Sequence, residues 1–278
     1  MVLVGVMNSV PASAQARPSR ERGLETTAVL AANALFGGLT AAGRAIIEGK
    51  NPVRAFGLGT VGGALHFSAK IVSAKREPLA APVGLILGGL GSSLVSNGGQ
   101  GLGALENISL PIGPFRIRLA PSQRSSPIRI GISIYEAAVI GRYLFDRDLR
   151  IDWHRTAALG TLAFETRGKY LVVAHGDTAD GTSTASILVF SALATEPEMT
   201  ERHETTHVHQ HWFLEENWGR PIEASLRRLT PGISWLPAWV ELGFVTPSIL
   251  WLEQTAFGYR QGPLVRLEES EAEWFERR

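Results

Sequence analysis

The chain contains no cysteine. Disulfides, thiolate-bound zinc and thiol nucleophiles are excluded with it, so any metal must be held by His, Asp or Glu. An excess of one charge is also missing: 27 Lys and Arg stand against 26 Asp and Glu, for a formal net charge of +1. That balance gives no reason to expect a nucleic-acid partner. There is no G-x-S-x-G elbow for serine hydrolysis and no internal repeat. Beyond His207 there is no aspartate, and beyond His211 no histidine. A metal ligand supplied from downstream would have to be glutamate. The 278 residues are enough for one large domain or two modest ones with a sizeable core.

What is present falls into parts of different composition. Residues 1–16 hold a short apolar run, Pro11 and Ala14-Gln15-Ala16. This fits a cleaved signal peptide except that the positive n-region is missing; export to a bacterial-type envelope, periplasm or membrane is the expectation. Residues 24–100 are rich in Gly and Ala and contain three apolar runs, Ala28–Ile47, Ala55–Ala74 and Leu79–Val95, each close to bilayer-spanning length. Glycines recur at close spacing, as in Gly57, Gly59, Gly62 and Gly63, which suits close helix–helix contact. Arg44, His66 and Lys70 interrupt these runs. The expectation is a helical layer, embedded in or associated with a membrane.

Residues 105–192 carry short runs of Ile, Val, Leu and aromatics separated by turn formers, and Phe115–Leu119 alternates strictly. They read as an antiparallel β meander. The segment HGDTADG reads as a plain turn and not a calcium loop, since no Glu follows at the required offset. Asp146, Asp148 and Asp152, with Arg147 and Arg150, read as a solvated loop. Residues 195–278 read as helical, with Gly219 and Pro221 ending the first helix. The predicted class is α+β: Gly/Ala-rich N-terminal helices, a β meander, and a C-terminal helical region, with 105–278 forming the second unit.

The stretch ERHETTHVHQHW (201–212) packs four of the seven histidines into nine residues. His203-Glu204-Thr205-Thr206-His207 is H-E-x-x-H. On a helix, positions i and i+4 share one face about 6 Å apart, so two imidazoles can bind one Zn²⁺ and the glutamate between them can act as general base. His211 lies two turns beyond His203, too far to share its metal. His209 points to another face, and both read as solvent-facing or hydrogen-bonded histidines. Gln210 and Phe213 stand where a metzincin needs Gly and His, which excludes that class. A catalytic zinc keeps three protein ligands and one open position. Glu223 and Glu241 are unsupported as the third. Glu253, a lone acid in PSILWLEQTAFGYR, is the stronger candidate, while Glu268, Glu269, Glu271, Glu273 and Glu276 form a charge run of the kind that faces solvent.

HETTHVHQ with a downstream Glu253-Gln254-Thr255-Ala256 resembles the compact gluzincin metallopeptidases, over about residues 185–262. The resemblance implies a zinc peptidase: His203, His207 and Glu253 as metal ligands, Glu204 as base, and a peptide or protein substrate. Glu269-Ser270-Glu271-Ala272 also fits E-x-x-A, which keeps Glu269 as an alternative ligand. The resemblance also implies a strand before the motif helix, Ser186–Ser191, that pairs with an extended peptide, and Tyr259 is a candidate oxyanion donor by its proximity to Glu253. Thr205-Thr206 departs from the larger or Gly-containing pair expected there. The competing expectation is a non-catalytic envelope or membrane protein whose histidine helix holds a structural or adventitious metal.

Overall fold

The structure, a computed structural model, describes residues 19–75, 77–122, 126–167, 171–172, 178–184, 186–194, 196–219, 221–222, 225, 228, 271–272 and 274–275. The expected signal segment 1–16 lies outside them.

Three helices open the fold: α1 (Ser19–Ile47), α2 (Pro52–Ser73) and α3 (Ala80–Gln100). Asn51 caps α2 by accepting from the Val53 and Arg54 amides, with Pro52 in the first turn. Gly101 ends α3 in the left-handed conformation at φ 73°. The helices run antiparallel, joined by short connections. They approach closely because glycines meet backbone at the seams: Gly37 against Gly59 and Gly63 between α1 and α2, Gly62 against Gly91 between α2 and α3. A Cβ at Gly59 would strike the Gly37 carbonyl oxygen, whereas Gly57 faces open space.

Both α1 and α3 are long and apolar enough to cross a membrane by length and composition. Their surroundings differ. The apolar window of α3 is 67% buried, whereas that of α1 is 28% buried, and Leu35, Phe36, Leu39, Ile46 and Ile47 of α1 are exposed.

Next come β1 (Ile108–Ile112), β2 (Phe115–Leu119) and β3 (Ile128–Gly131), an antiparallel meander in that order. The meander does not continue as expected. Ser133 and Glu136 form a reciprocal capping box that starts α4 (Ile134–Phe145), and Asp152 caps α5 (Trp153–Leu159) directly after β4 (Leu149–Ile151). One of the acids expected in a solvated loop is thus structural, Asp152 as a cap, whereas Asp146 and Asp148 are exposed as expected, with Asp146 accepting from the Asp148 amide. The remaining strands are β5 (Ala163–Thr166), β6 (Leu171–Val172), β7 (Thr178–Ala179), β8 (Gly181–Thr184) and β9 (Ile187–Phe190). A second sheet has the order β4-β5-β9-β8 with β5 and β9 parallel, so it is mixed and not a meander; β6 and β7 form a separate pair. The chain then enters α6 (Pro197–Leu214) and a π turn, Glu215–Gly219.

The core explains the layering. Alternate residues of β9 face opposite sides. Ile187 and Val189 pack with Val139 of α4 and Phe164 of β5. Leu188 and Phe190 pack with Ala81 and Leu85 of α3 and Val208 and Trp212 of α6. Phe213 and Leu214 reach Ala41, Ala45, Ala55 and Val95 of the three-helix layer. Trp274 and Phe275 close on Phe67. The order of layers is therefore α4, mixed sheet, α6 with α3, then α1 and α2.

The glycine seams generate a paired prediction. Gly59→Ala should destabilise by about 1–3 kcal/mol through overpacking. Gly57→Ala, two residues away on the same helix, should be neutral or stabilise by up to about 1 kcal/mol through helix propensity. Urea unfolding of both variants measures the contrast, and equal effects would contradict seam packing.

Candidate functional site

α6 is polar in sequence yet buried over Glu204–Thr206 and Val208–Leu214. The sheet holds one side of it and the helical layer the other. On its outer N-terminal part, Arg155 of α5 binds Glu201 at 2.7 Å and stacks over Phe190, which fixes α6 against the sheet.

His203 and His207 converge. Their Nε2 atoms are 3.1 Å apart. Two nitrogens bound at about 2.0–2.1 Å to a tetrahedral zinc lie about 3.3–3.4 Å from one another, so the pair is spaced as two ligands of one ion would be. Burial is the main force on the His207 imidazole and lowers its pKa below 6.5; His203 acts in the same sense, while Glu204, Gln210 and Glu271 oppose it. A neutral imidazole with a free lone pair is what a metal requires. Glu204 is buried beside this pair. A Cβ on Gly181 would meet the Glu204 side chain and Thr200, so the absence of a side chain at 181 is what lets β8 approach the motif helix.

Glu253, the expected third ligand, lies outside the described residues, as do Glu269, Glu223, Glu241 and Tyr259. The expectation for Ser186–Ser191 needs correction. β9 has β5 on one side and β8 on the other, so its backbone bonds are already used within the sheet. Among the described residues β8 is an edge strand of this sheet, and it adjoins Glu204.

The hydrogen-bonded reading of His209 holds, while the expectations for His211 and Glu271 change. His209 is buried, with Nε2 2.8 Å from Ser73 Oγ. His211 is buried as well and forms, with Glu136 and Glu215, a cluster whose ligand atoms lie within 4.8 Å of one another. Such a set could coordinate a metal ion. Glu271 is not on a solvated face: Lys70 Nζ binds its Oε2 at 2.6 Å, and Asn33 and Gln210 donate to it.

The Glu136–His211–Glu215 cluster already contains a cation. Arg116 of β2 binds Glu215 at 2.5 Å and lies 4.4 Å from the centre of the Trp212 ring. Burial alone would raise the Glu215 pKa; Arg116 and His211 overcome it and hold the group at about 2. Glu136 goes the other way, raised by burial and then by Glu215, while accepting from Ser186 Oγ at 2.5 Å. Sequence reasoning missed Glu136 and Arg116 because they look like ordinary members of a helix start and an alternating strand. The one available signal was Glu136 itself, three residues after Ser133.

Removing the cation should expose this balance. A depressed carboxylate contributes stability above its ordinary pKa of 4.5, and that stability is lost as pH falls toward 2. Arg116→Met strands buried negative charge, so it should cost about 3–5 kcal/mol near neutral pH. The cost should shrink in acid, where protonation neutralises the stranded groups. Urea unfolding near neutral pH and again in mild acid tests this; a cost that does not change with pH would contradict it.

No protein-family profile matches the chain, and no curated protein or solved structure matches it.

Proposed function

We propose that the chain is a zinc-dependent peptidase whose site is built on α6. The observation that carries the reading is the facing pair of Nε2 atoms on His203 and His207, with the buried Glu204 one residue from the first. In this reading His203, His207 and Glu253 hold the metal. When bound, zinc would polarise the scissile carbonyl and acidify a water molecule. Glu204 takes the proton of the attacking water and returns it to the leaving amine. An extended peptide pairs with the outer edge of β8 by β-augmentation, which carries its backbone past Glu204. The apolar outer side of α1 is assigned to membrane contact, and the chain to an exported, envelope-side location.

A second reading is kept because of Glu136, His211 and Glu215. There the metal is structural, the protein is non-catalytic, and the helical layer carries the role in a membrane or envelope.

Substitutions separate the two readings. His203→Ala and His207→Ala should each lose bound zinc, measured as metal per chain after dialysis. Glu204→Gln should keep zinc and fold, and its hydrolysis of a fluorogenic peptide library should fall by roughly 10²–10⁴-fold. His211→Ala should keep the zinc. If zinc instead left with His211→Ala and stayed in both other histidine variants, the structural reading would replace the peptidase.

A further inference from the structure

We propose that Gln210 is a positioning residue that fixes which nitrogen of His207 carries the proton, and that Glu271, Lys70 and Asn33 fix Gln210 in turn. The proposal rests on His203 and His207 being metal ligands, and it adds residues from three other parts of the chain to that site.

The inference follows from forced hydrogen-bond directions. Lys70 Nζ can only donate, and it lies 2.6 Å from Glu271 Oε2. Asn33 Nδ2 donates to Glu271 Oε1 at 2.8 Å, and Asn33 Oδ1 receives a second Lys70 N–H at 3.2 Å. A carboxylate held in this way only accepts. Gln210 must therefore turn its amide nitrogen toward Glu271, and Nε2 is found 3.1 Å from Oε2. That orientation leaves Gln210 Oε1 facing His207 Nδ1 at 2.7 Å. An amide oxygen can only accept, so Nδ1 carries the proton. A neutral imidazole has one N–H, which leaves the lone pair on Nε2, the atom that faces His203 Nε2 at 3.1 Å. Reversing the Gln210 amide would set oxygen against carboxylate oxygen and nitrogen against the imidazole.

The cost of this arrangement argues for its use. Lys70 is buried inside an apolar helix, and its partner Glu271 is nearly so. Desolvating two charges is expensive, and buried pairs are weak contributors to stability. What the pair supplies here is direction: a fixed carboxylate that orients an amide, which orients a ligand imidazole. Partners of this kind around metal-binding histidines change metal affinity by about 10–100-fold when removed. Asn33 belongs to α1, Lys70 to α2, Gln210 to α6 and Glu271 to the C-terminal helical turn. The Gly/Ala-rich layer thus acts on the site itself as well as on the core.

The test uses the full-length, metal-free chain with ¹⁵N-labelled histidine rings, the His207 signals being assigned by their loss in His207→Gln. At mildly alkaline pH the wild-type ring should show protonated Nδ1 and unprotonated Nε2. In Gln210→Ala the populations should shift toward Nε2–H. Zinc affinity, measured by competition with a chromophoric chelator, should fall about 10–100-fold. An Nε2–H tautomer in the wild-type chain overturns the proposal, and so does a Gln210→Ala variant with unchanged tautomer and zinc affinity. The wild-type tautomer is read without Gln210→Ala, so the result is decisive even if that variant is unstable. Zinc binding by the wild-type chain is read separately: its failure would strike the ligand assignment, whereas the tautomer tests the relay.

Discussion

A helix that is polar in sequence is buried on nearly every side. From Glu204 to Leu214, α6 exposes little more than His207, and several of the polar groups it carries inward are met by partners from other elements, although Thr205 Oγ1 and Trp212 Nε1 are not met among the described residues. Leaving a buried donor or acceptor unmet costs about 1–3 kcal/mol, more if it is charged. The rest of the molecule is arranged around this requirement. Ser73 meets His209, Glu271 meets Gln210, the Arg202 carbonyl meets Thr206, and Glu215 lies beside His211. These partners come from α2, the C-terminal turn, α6 and the π turn, which explains why distant stretches of sequence must assemble before the site exists.

Close approach makes those contacts geometrically available. α6 meets glycine on two sides: a Cβ at Gly88 of α3 would strike the His209 ring, and one at Gly181 of β8 would strike Glu204 and Thr200. Side chains at either position would push the helix away from its polar partners. The glycine seams among α1, α2 and α3 work in the same way one layer further out, bringing Asn33 and Lys70 to within hydrogen-bonding distance of each other. Against this polar centre, β9 supplies apolar side chains to both faces of its sheet, so the hydrophobic contribution and the polar positioning are carried by different elements.

Much of this was legible in the sequence. The H-E-x-x-H spacing located α6 and its convergent pair, the alternation at Phe115–Leu119 located β2, and the small residues of the N-terminal part, Gly57 excepted, located the helix seams. What escaped depended on partners far away in the chain. Glu271 sits among other acids and reads as a solvated face, yet its cation, Lys70, is 201 residues upstream. Lys70 in turn reads as a flaw in an apolar run. His209 and His211 read as solvent-facing or hydrogen-bonded histidines, because local spacing carries no information about Ser73 or Glu136. The meander was overextended for a local reason: Ser133 and Asp152 cap helices within stretches whose Ile, Leu and Tyr content also suits strands.

The central claim is that His203 and His207 bind one metal ion together. X-ray absorption at the zinc edge on the full-length chain, loaded with one equivalent, tests it most directly. The account predicts two imidazole nitrogens at about 2.0–2.1 Å in a four-coordinate centre completed by oxygen. A single imidazole among oxygen ligands would place the ion with Glu136, His211 and Glu215 instead, and it would contradict the account.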